Sequence, residues 1–309
     1  MARRRHGRPL NGILILDKPK GVTSNRALQT VKHLLGASKA GHTGSLDPMA
    51  TGVLPLCFGE ATKFSQYLLD SDKAYQSTFV LGSVTDTGDA EGKVLDVTDA
   101  SGISESDVIA GLRLFQGEIE QVPSMFSAIK QNGQPLYKLA RQGLEVERKP
   151  RSVVIKQLSL RAFRGGNRAE MDIELECSKG TYVRSLAEDI GRILGCGAFV
   201  SALRRTRAGP FSVEDSVALP TLEALQVAGG SGEIERLLLP ADAAVGSLPL
   251  VRLSESGGFY IRQGQPVMVP NAPRGGIVRV ALHSGEFLGI GEMLDDGRVA
   301  PRRLIVTGR

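Results

Sequence analysis

The chain has 309 residues, enough for one large core and a smaller second unit. Hydrophobic residues make up 41% and charged residues 23%, an ordinary balance for a soluble globular protein, and no apolar run approaches the roughly 18 residues that span a bilayer. A formal net charge of +5 favours a polyanionic partner, because neutralising phosphates releases their counterions.

The basic segment Met1–Pro9 has no apolar stretch behind it, so it does not read as a secretory signal, and the expected location is the cytoplasm. Ile13–Leu16 reads as a buried strand that ends in the turn Asp17-Lys18-Pro19-Lys20-Gly21. Thr23 or Ser24 is placed to cap a helix whose apolar side is Ala27, Leu28, Val31, Leu34 and Leu35, with Gly36 ending it. The Gly- and Pro-punctuated stretch Ala40–Gly59 reads as a loop with a short helical piece, and Glu60–Leu69 as a helix. Ala74–Leu81 and Lys93–Val97 read as strands joined by a turn-rich loop, Thr85–Gly92. Ser104–Phe115 is an amphipathic helix with Ser104 and Asp107 spaced as a capping pair.

Gln121–Pro150 is polar and carries Pro123, Pro135 and Pro150, which fits either a protruding arm or a long surface connection. Strands are expected at Val153–Phe163 and Ala169–Cys177, then a helix over Thr181–Leu194. Composition shifts at Leu238–Pro249, where a domain boundary is expected. Beyond it, short strand signals at Ile277–Leu282, Glu286–Glu292 and Val299–Val306, with a turn at Asp295-Asp296-Gly297, predict a small β-barrel.

Cys57, Cys177 and Cys196 form no CxxC pair and read as reduced core residues. His6, His33, His42 and His283 are dispersed, and no zinc spacing, Walker lysine loop or GxGxxG occurs, so neither a metal nor a nucleotide cofactor is expected. The clusters Arg3-Arg4-Arg5, Arg148-Lys149-Pro150-Arg151, Arg204-Arg205-Thr206-Arg207 and Arg302-Arg303 fit a nucleic-acid surface and equally a solvated basic face.

The densest stretch is Gly41-His42-Thr43-Gly44-Ser45-Leu46-Asp47-Pro48-Met49-Ala50-Thr51-Gly52-Val53-Leu54-Pro55. On spacing alone, Asp47 before a proline is a turn former or helix cap. Together with Lys18-Pro19, Lys73-Ala74-Tyr75, Thr85–Asp89, Ser178–Arg184 and Leu203-Arg204-Arg205, the stretch resembles the tRNA pseudouridine synthase B family along nearly the whole chain. The resemblance implies an α+β fold: a mixed, mostly antiparallel central sheet with flanking helices over residues 1–240, and a small barrel-like PUA domain over 250–309. It implies a clamping arm at 121–150, and a monomer that converts uridine 55 in the T-arm loop of tRNA to pseudouridine without cofactor or guide RNA. The tail would touch the acceptor end.

By the same resemblance Asp47 is the catalytic carboxylate. Tyr75 stacks on the uracil and is the base at the ribose, with Tyr182 packed beside it. Arg184 pairs with Asp47, keeping it ionised and aimed, and Asp89 holds Arg184 from the other side. Leu203 lines the pocket, His42 fills the gap left by the extruded base, and Lys18 supports the loop. Two other readings stay open: a dyskerin-type enzyme directed by guide RNA, and a tRNA-folding chaperone using the same surface.

Overall fold

The computed structural model describes residues 7–127, 129–131, 133–270, 273 and 275–306, so Arg3-Arg4-Arg5 and His6 lie outside the described residues. In chain order the first elements are β1 (Gly12–Lys18), α1 (Ser24–Leu34), β2 (Ala40–His42) and β3 (Thr51–Phe58). A 3-10 turn leads to α2 (Ser65–Asp70), β4 (Lys73–Leu81), the hairpin β5 (Ser83–Thr85) and β6 (Val94–Val97), α3 (Glu105–Arg113) and β7 (Gly117–Gln121). The excursion that follows holds β8 (Lys130–Gln131), β9 (Gln134–Pro135) and α4 (Leu136–Ala140). After it come β10 (Arg151–Arg164), β11 (Glu170–Cys177), α5 (Val183–Ile193), β12 (Ala198–Ala208), β13 (Phe211–Ser212), β14 (Val217–Ala218), α6 (Leu219–Gly229) and α7 (Ser231–Glu235). The tail holds β15 (Leu250–Leu253), α8 (Glu255–Arg262), β16 (Val267–Met268), β17 (Ile277–Leu282), β18 (Phe287–Met293) and β19 (Arg298–Leu304).

Ten strands form one sheet in the order β14-β1-β3-β12-β4-β11-β10-β7, with β2 beside β3 and β13 beside β12. The pairs β1/β14 and β3/β12 are parallel, and the central β4/β11, β4/β12 and β10/β11 pairs are antiparallel. The mixed, mostly antiparallel α+β arrangement expected from the family pattern is therefore present. Local signals set the helix starts: Thr23 Oγ1 caps α1 by accepting from Arg26 N at 3.1 Å, and Ser104 and Asp107 form a reciprocal capping box on α3.

Two parts of the sheet depart from the sequence expectation. Ala40–Gly59 is not a loop with a helical piece; it contains β2 and β3, and β3 runs between β1 and β12. Gly52 and Pro55 hid the strand. Pro55 O accepts from Thr43 N at 3.1 Å, so Pro55 directs its backbone polar edge away from β1, into the gap where β3 changes partner from β12 to β2. A missing N–H costs no ladder bond there. Gly52 has φ +101°, and a Cβ on it would lie 2.2 Å from the Arg205 carbonyl oxygen, so the close β3/β12 approach requires glycine. The second departure is β12 itself, a central strand in a segment read as a basic cluster.

Much of the clustered positive charge is matched inside the fold. Arg204 grips Asp17 with two hydrogen bonds of 3.0 and 2.8 Å, and Arg207 pairs with Glu176 at 2.8 Å. Arg205 is 1% exposed, Arg148 meets Glu145, and Arg302 meets Glu292. Arg204, Arg205 and Arg207 are tied into the sheet in this way, whereas Arg302 keeps 60% of its side chain exposed.

One apolar core lies between the sheet and helices α3 and α5, and Leu46, Met49 and Ala50, which flank Asp47, belong to it. Another lies under α1 and α6. The tail is a curled five-stranded sheet, β15-β17-β18-β19-β16, around its own core. It is also packed against the first unit: Ile290 joins a core with Ile13, Phe64 and Val245, and the Phe64 and Phe287 rings stand 5.4 Å apart. Leu238–Pro249, where a boundary was expected, contributes Ala244 and Val245 to that shared core.

Replacing Gly52 by alanine drives a Cβ into the β12 backbone at a positive φ. We expect Gly52→Ala to lower unfolding free energy by about 2–4 kcal/mol in urea titration. A loss below about 0.5 kcal/mol would show that β3 and β12 can separate at no cost.

Candidate active site

The segment between β2 and β3 carries Asp47 and is tied down from below. Lys18, fully buried at the end of β1, donates its ammonium to the carbonyls of Pro19 at 2.9 Å, Val22 at 2.8 Å and Pro48 at 3.4 Å. Burial, the largest effect, pushes its pKa down to about 8, with Arg205 adding to the fall and Asp47 and Glu91 opposing it. Ser24, at the start of α1, accepts from Leu46 N at 2.8 Å and donates to Leu46 O at 3.0 Å. Gly21 N donates to Pro48 O at 2.7 Å. The backbone on both sides of Asp47 is thus fixed by residues of β1 and α1.

From above, α5 delivers Arg184 in its first turn. Its side chain is 6% exposed, and each nitrogen has a partner. Nε meets Asp47 Oδ2 at 3.0 Å, Nη1 donates to Thr87 O at 2.9 Å, and Nη2 donates to Phe126 O at 3.1 Å. Asp89 Oδ2 lies 3.5 Å from Nη1, and Asp89 also accepts from Thr87 Oγ1 and Glu91 N. One guanidinium therefore joins the Asp47 loop, the loop after β5 and the root of the 121–150 excursion. Its planar fork suits several acceptors at once.

Asp47 keeps 39% of its side chain exposed, at the floor of an opening, yet desolvation raises its carboxyl above the usual carboxylate value. Arg184 is the chief opposing influence; Asp89 adds to the rise and Lys18 works against it. The guanidinium aims the carboxylate and limits the rise, but burial prevails.

Above Asp47 opens a cleft of about 320 Å³, within the range of small-molecule sites, lined among others by Asp47, Tyr75, Tyr182, Arg184, Leu203 and Arg205. Tyr75 comes from β4, and Leu203 and Arg205 from β12. Tyr182 is the residue before α5, and the buried amide of Gln121 grips its backbone both ways: Tyr182 N donates to Gln121 Oε1 at 3.0 Å and Gln121 Nε2 donates to Tyr182 O at 3.2 Å. Burial raises both phenols above their ordinary value.

Five of the residues singled out in the sequence thus meet at one cleft: Asp47, Tyr75, Tyr182, Arg184 and Leu203. Three stand back from it. Lys18 lies beneath the loop, and Asp89 lies behind Arg184. His42 sits on β2 outside the cleft lining, with Nδ1 buried and unpartnered and its pKa lowered, chiefly by burial and then by Arg205. Sequence reasoning assigned no role to Arg205 or Gln121. The signal for Arg205 was the period of two that puts it on one face of a strand with Leu203; Gln121 left none.

Among the described residues no group of three His, Cys, Asp or Glu lies together as a metal-ligand set, and no helix is long and apolar enough to cross a membrane. The three cysteines are free and buried, and desolvation lifts the Cys57 thiol to about 12 and the Cys177 thiol to about 11.

The fold matches the protein in "Structure of H/ACA RNP bound to a substrate RNA containing 2'-deoxyuridine", with a TM-score of 0.73 and 24% identity over 99% of this chain and 92% of that one. A chain of a Cbf5-Nop10-Gar1 complex gives 0.71 and 25% identity over 100% and 90%. The class defined by this sheet, half-barrel tail and cleft is the pseudouridine synthase fold. Three family models resolve it further: "TruB family pseudouridylate synthase (N terminal domain)" over residues 32–183, "tRNA pseudouridylate synthase B C-terminal domain" over 184–246, and "Pseudouridine synthase II TruB, C-terminal" over 249–305. Relatives named tRNA pseudouridine synthase B are 57% identical in Pseudomonas fluorescens, over 96% of both chains, and 56% in Ectopseudomonas mendocina, over 97% of both. The chain belongs to the TruB family of pseudouridylate synthases.

The Gln121 clamp has a measurable consequence. Gln121→Met keeps the volume and removes both bonds to Tyr182: its N–H loses its acceptor, while its carbonyl keeps the bond from Leu186 N. We expect a loss of about 1–3 kcal/mol in thermal or urea unfolding. Unchanged stability would mean that the arm root and the α5 start are held by other contacts.

Proposed function

We propose that this protein isomerises a uridine of tRNA, the residue at position 55 in the T-arm loop, to pseudouridine, with Asp47 as the catalytic carboxylate. The observation that carries the reading is Asp47 itself: a partly exposed carboxylate at the floor of a cleft, aimed by Arg184 and flanked by the two phenols. The relatives' name supplies the substrate class, and the family pattern around Asp47 the position.

The reaction breaks C1′–N1, forms C1′–C5, releases the proton on C5 and adds one at N1. It is atom-balanced and needs no external group donor. A base inside a folded RNA must leave its stack to be reached, at a cost of a few kcal/mol. Loops offer bases that splay out most readily. Tyr75 offers a face for the extruded uracil and a phenol for proton transfer at the ribose, with Tyr182 beside it. Leu203 closes the apolar wall. Asp89 steadies Arg184, Lys18 steadies the loop, and His42, neutral and beside the motif, occupies the space left by the base.

Residues 1–240 are the catalytic domain in this reading, and 121–150 close over the RNA. Residues 250–309 form an RNA-binding domain of the PUA type that reaches the acceptor end. The tail exposes Phe259 and Tyr260 as an edge-to-face pair 5.5 Å apart, a surface able to stack on unpaired bases. The protein acts as a monomer in the cytoplasm, without guide RNA or cofactor.

Tritium release from tRNA labelled at C5 of uridine, in EDTA and without guide RNA, tests the whole reading. Wild type releases one equivalent per tRNA, none when cytidine replaces the target, and Asp47→Asn releases none while still binding RNA. Release by Asp47→Asn at the wild-type rate would remove Asp47 from the chemistry, and no release by wild type would favour a guide-dependent enzyme or a chaperone. KM for full-length tRNA falls below that for the isolated stem-loop; equal values would remove the tail from recognition.

The pH dependence follows from the direction of the Asp47 shift. The carboxylate works ionised, so the single-turnover rate falls as pH drops through a folded value above the ordinary 3.8. Arg184→Gln removes the main opposing influence and moves that acid limb to higher pH. An acid limb at or below the ordinary carboxylate value, unmoved by the substitution, would show that Arg184 does not govern Asp47.

A further inference from the structure

We propose that Arg205 is a positioning residue for Tyr75: from the adjoining strand it holds the phenol in the cleft and favours its anionic form, the form that can act as a base. The proposal deepens the reading of Tyr75 as the base at the ribose and rests on it.

The register places the two side by side. In the antiparallel β4/β12 pair, Arg205 stands directly opposite Tyr75. Directly opposed residues share a face, with Cβ atoms about 4.5–5.5 Å apart. Leu203 shares that face and Arg204 takes the other, where it meets Asp17. A register irregularity falls between Arg205 and Arg207, the kind of local kink that re-aims a side chain next to a functional site.

The guanidinium is held rigidly. Nε donates to Val53 O at 2.7 Å and Nη2 to Gly44 O at 3.0 Å, on the two sides of Asp47. Nη1 lies beneath Gly44, where a Cβ would approach it to 3.3 Å. No carboxylate lies within ion-pair distance of Arg205 among the described residues, although the side chain is almost fully buried. A desolvated cation without an anion is costly, and it favours negative charge on whatever faces it. Its positive neighbours respond accordingly: the pKa values of Lys18, Lys73 and His42 are each lowered in part by Arg205. Tyr75 is the neighbour on the same face that can turn anionic. Burial raises its phenol, Cys177 and Asp47 raise it further, and Arg205 opposes all three. A general base needs a proton affinity matched to its working pH, and Arg205 is the cation placed to supply that match.

Uniform 3-fluorotyrosine labelling brings the phenols into an accessible range for 19F NMR titration of the intact protein. The Tyr75 line is the one lost in Tyr75→Phe. In Arg205→Gln its midpoint rises by about one unit or more, while the lines of the other tyrosines stay in place. Arg205→Lys, which keeps the charge and loses the fork, gives a smaller rise and decides the matter should the glutamine variant not fold. In tritium release, Arg205→Lys lowers kcat roughly tenfold or more at similar KM, and adds little to the loss already caused by Tyr75→Phe. A Tyr75 midpoint unmoved by both substitutions would overturn the proposal. Near-normal turnover by Tyr75→Phe would instead overturn the base reading, and the 19F shift would still decide the coupling by itself.

Discussion

The active site depends on holding a carboxylate in a place where its charge is disfavoured. Burial raises the Asp47 carboxyl above its ordinary value and by itself would leave its direction unset. The ion pair with Arg184 counters both tendencies, and Arg184 is in turn held by backbone carbonyls from two other segments. Breaking a buried pair of this kind strands the surviving charge, whereas keeping it adds little net stability. The pair therefore reads as a device for geometry, and its cost is offset by the packing beneath it.

Two buried arginines and one buried lysine surround the loop, and all three solve the same problem. Each satisfies its donors with carbonyl oxygens rather than with carboxylates alone. Carbonyls accept hydrogen bonds without neutralising the cation, so the positive potential persists at the cleft. That potential limits the rise of the Asp47 carboxyl and of the Tyr75 phenol, and it disfavours protonation of His42. Burial first, and then Arg205, hold the His42 imidazole below its ordinary value.

The tail is not hung from the first unit by a spacer. Phe287 and Ile290 share a core with Phe64 and Ile13, Lys63 donates to Leu304 O at 2.8 Å, and Val306 N donates to Glu60 at 2.7 Å. The tail is therefore joined to the first unit by a shared core and by hydrogen bonds.

The sequence alone determined what local rules govern. Helices α1, α3 and α5, strands β1, β4, β10 and β11, and strands β17, β18 and β19 of the tail followed from periodicity, caps and turns, whereas β15, α8 and β16 did not. The motif around Asp47 identified the family and pointed to the cleft, because its long ordered string of residues is specific in a way that composition is not. Tertiary structure decided what depends on partners far along the chain. Gly52 and Pro55 looked like breakers until β12 and β2 supplied the neighbours that make a glycine necessary and a proline harmless. The Arg204–Arg207 cluster fitted a nucleic-acid surface and a solvated basic face equally until alternate residues were sent to opposite faces, one to Asp17 and one into the cleft. The reason is physical in each case. Charge and backbone conformation have a meaning set by their surroundings, and those surroundings are assembled only when distant strands pair.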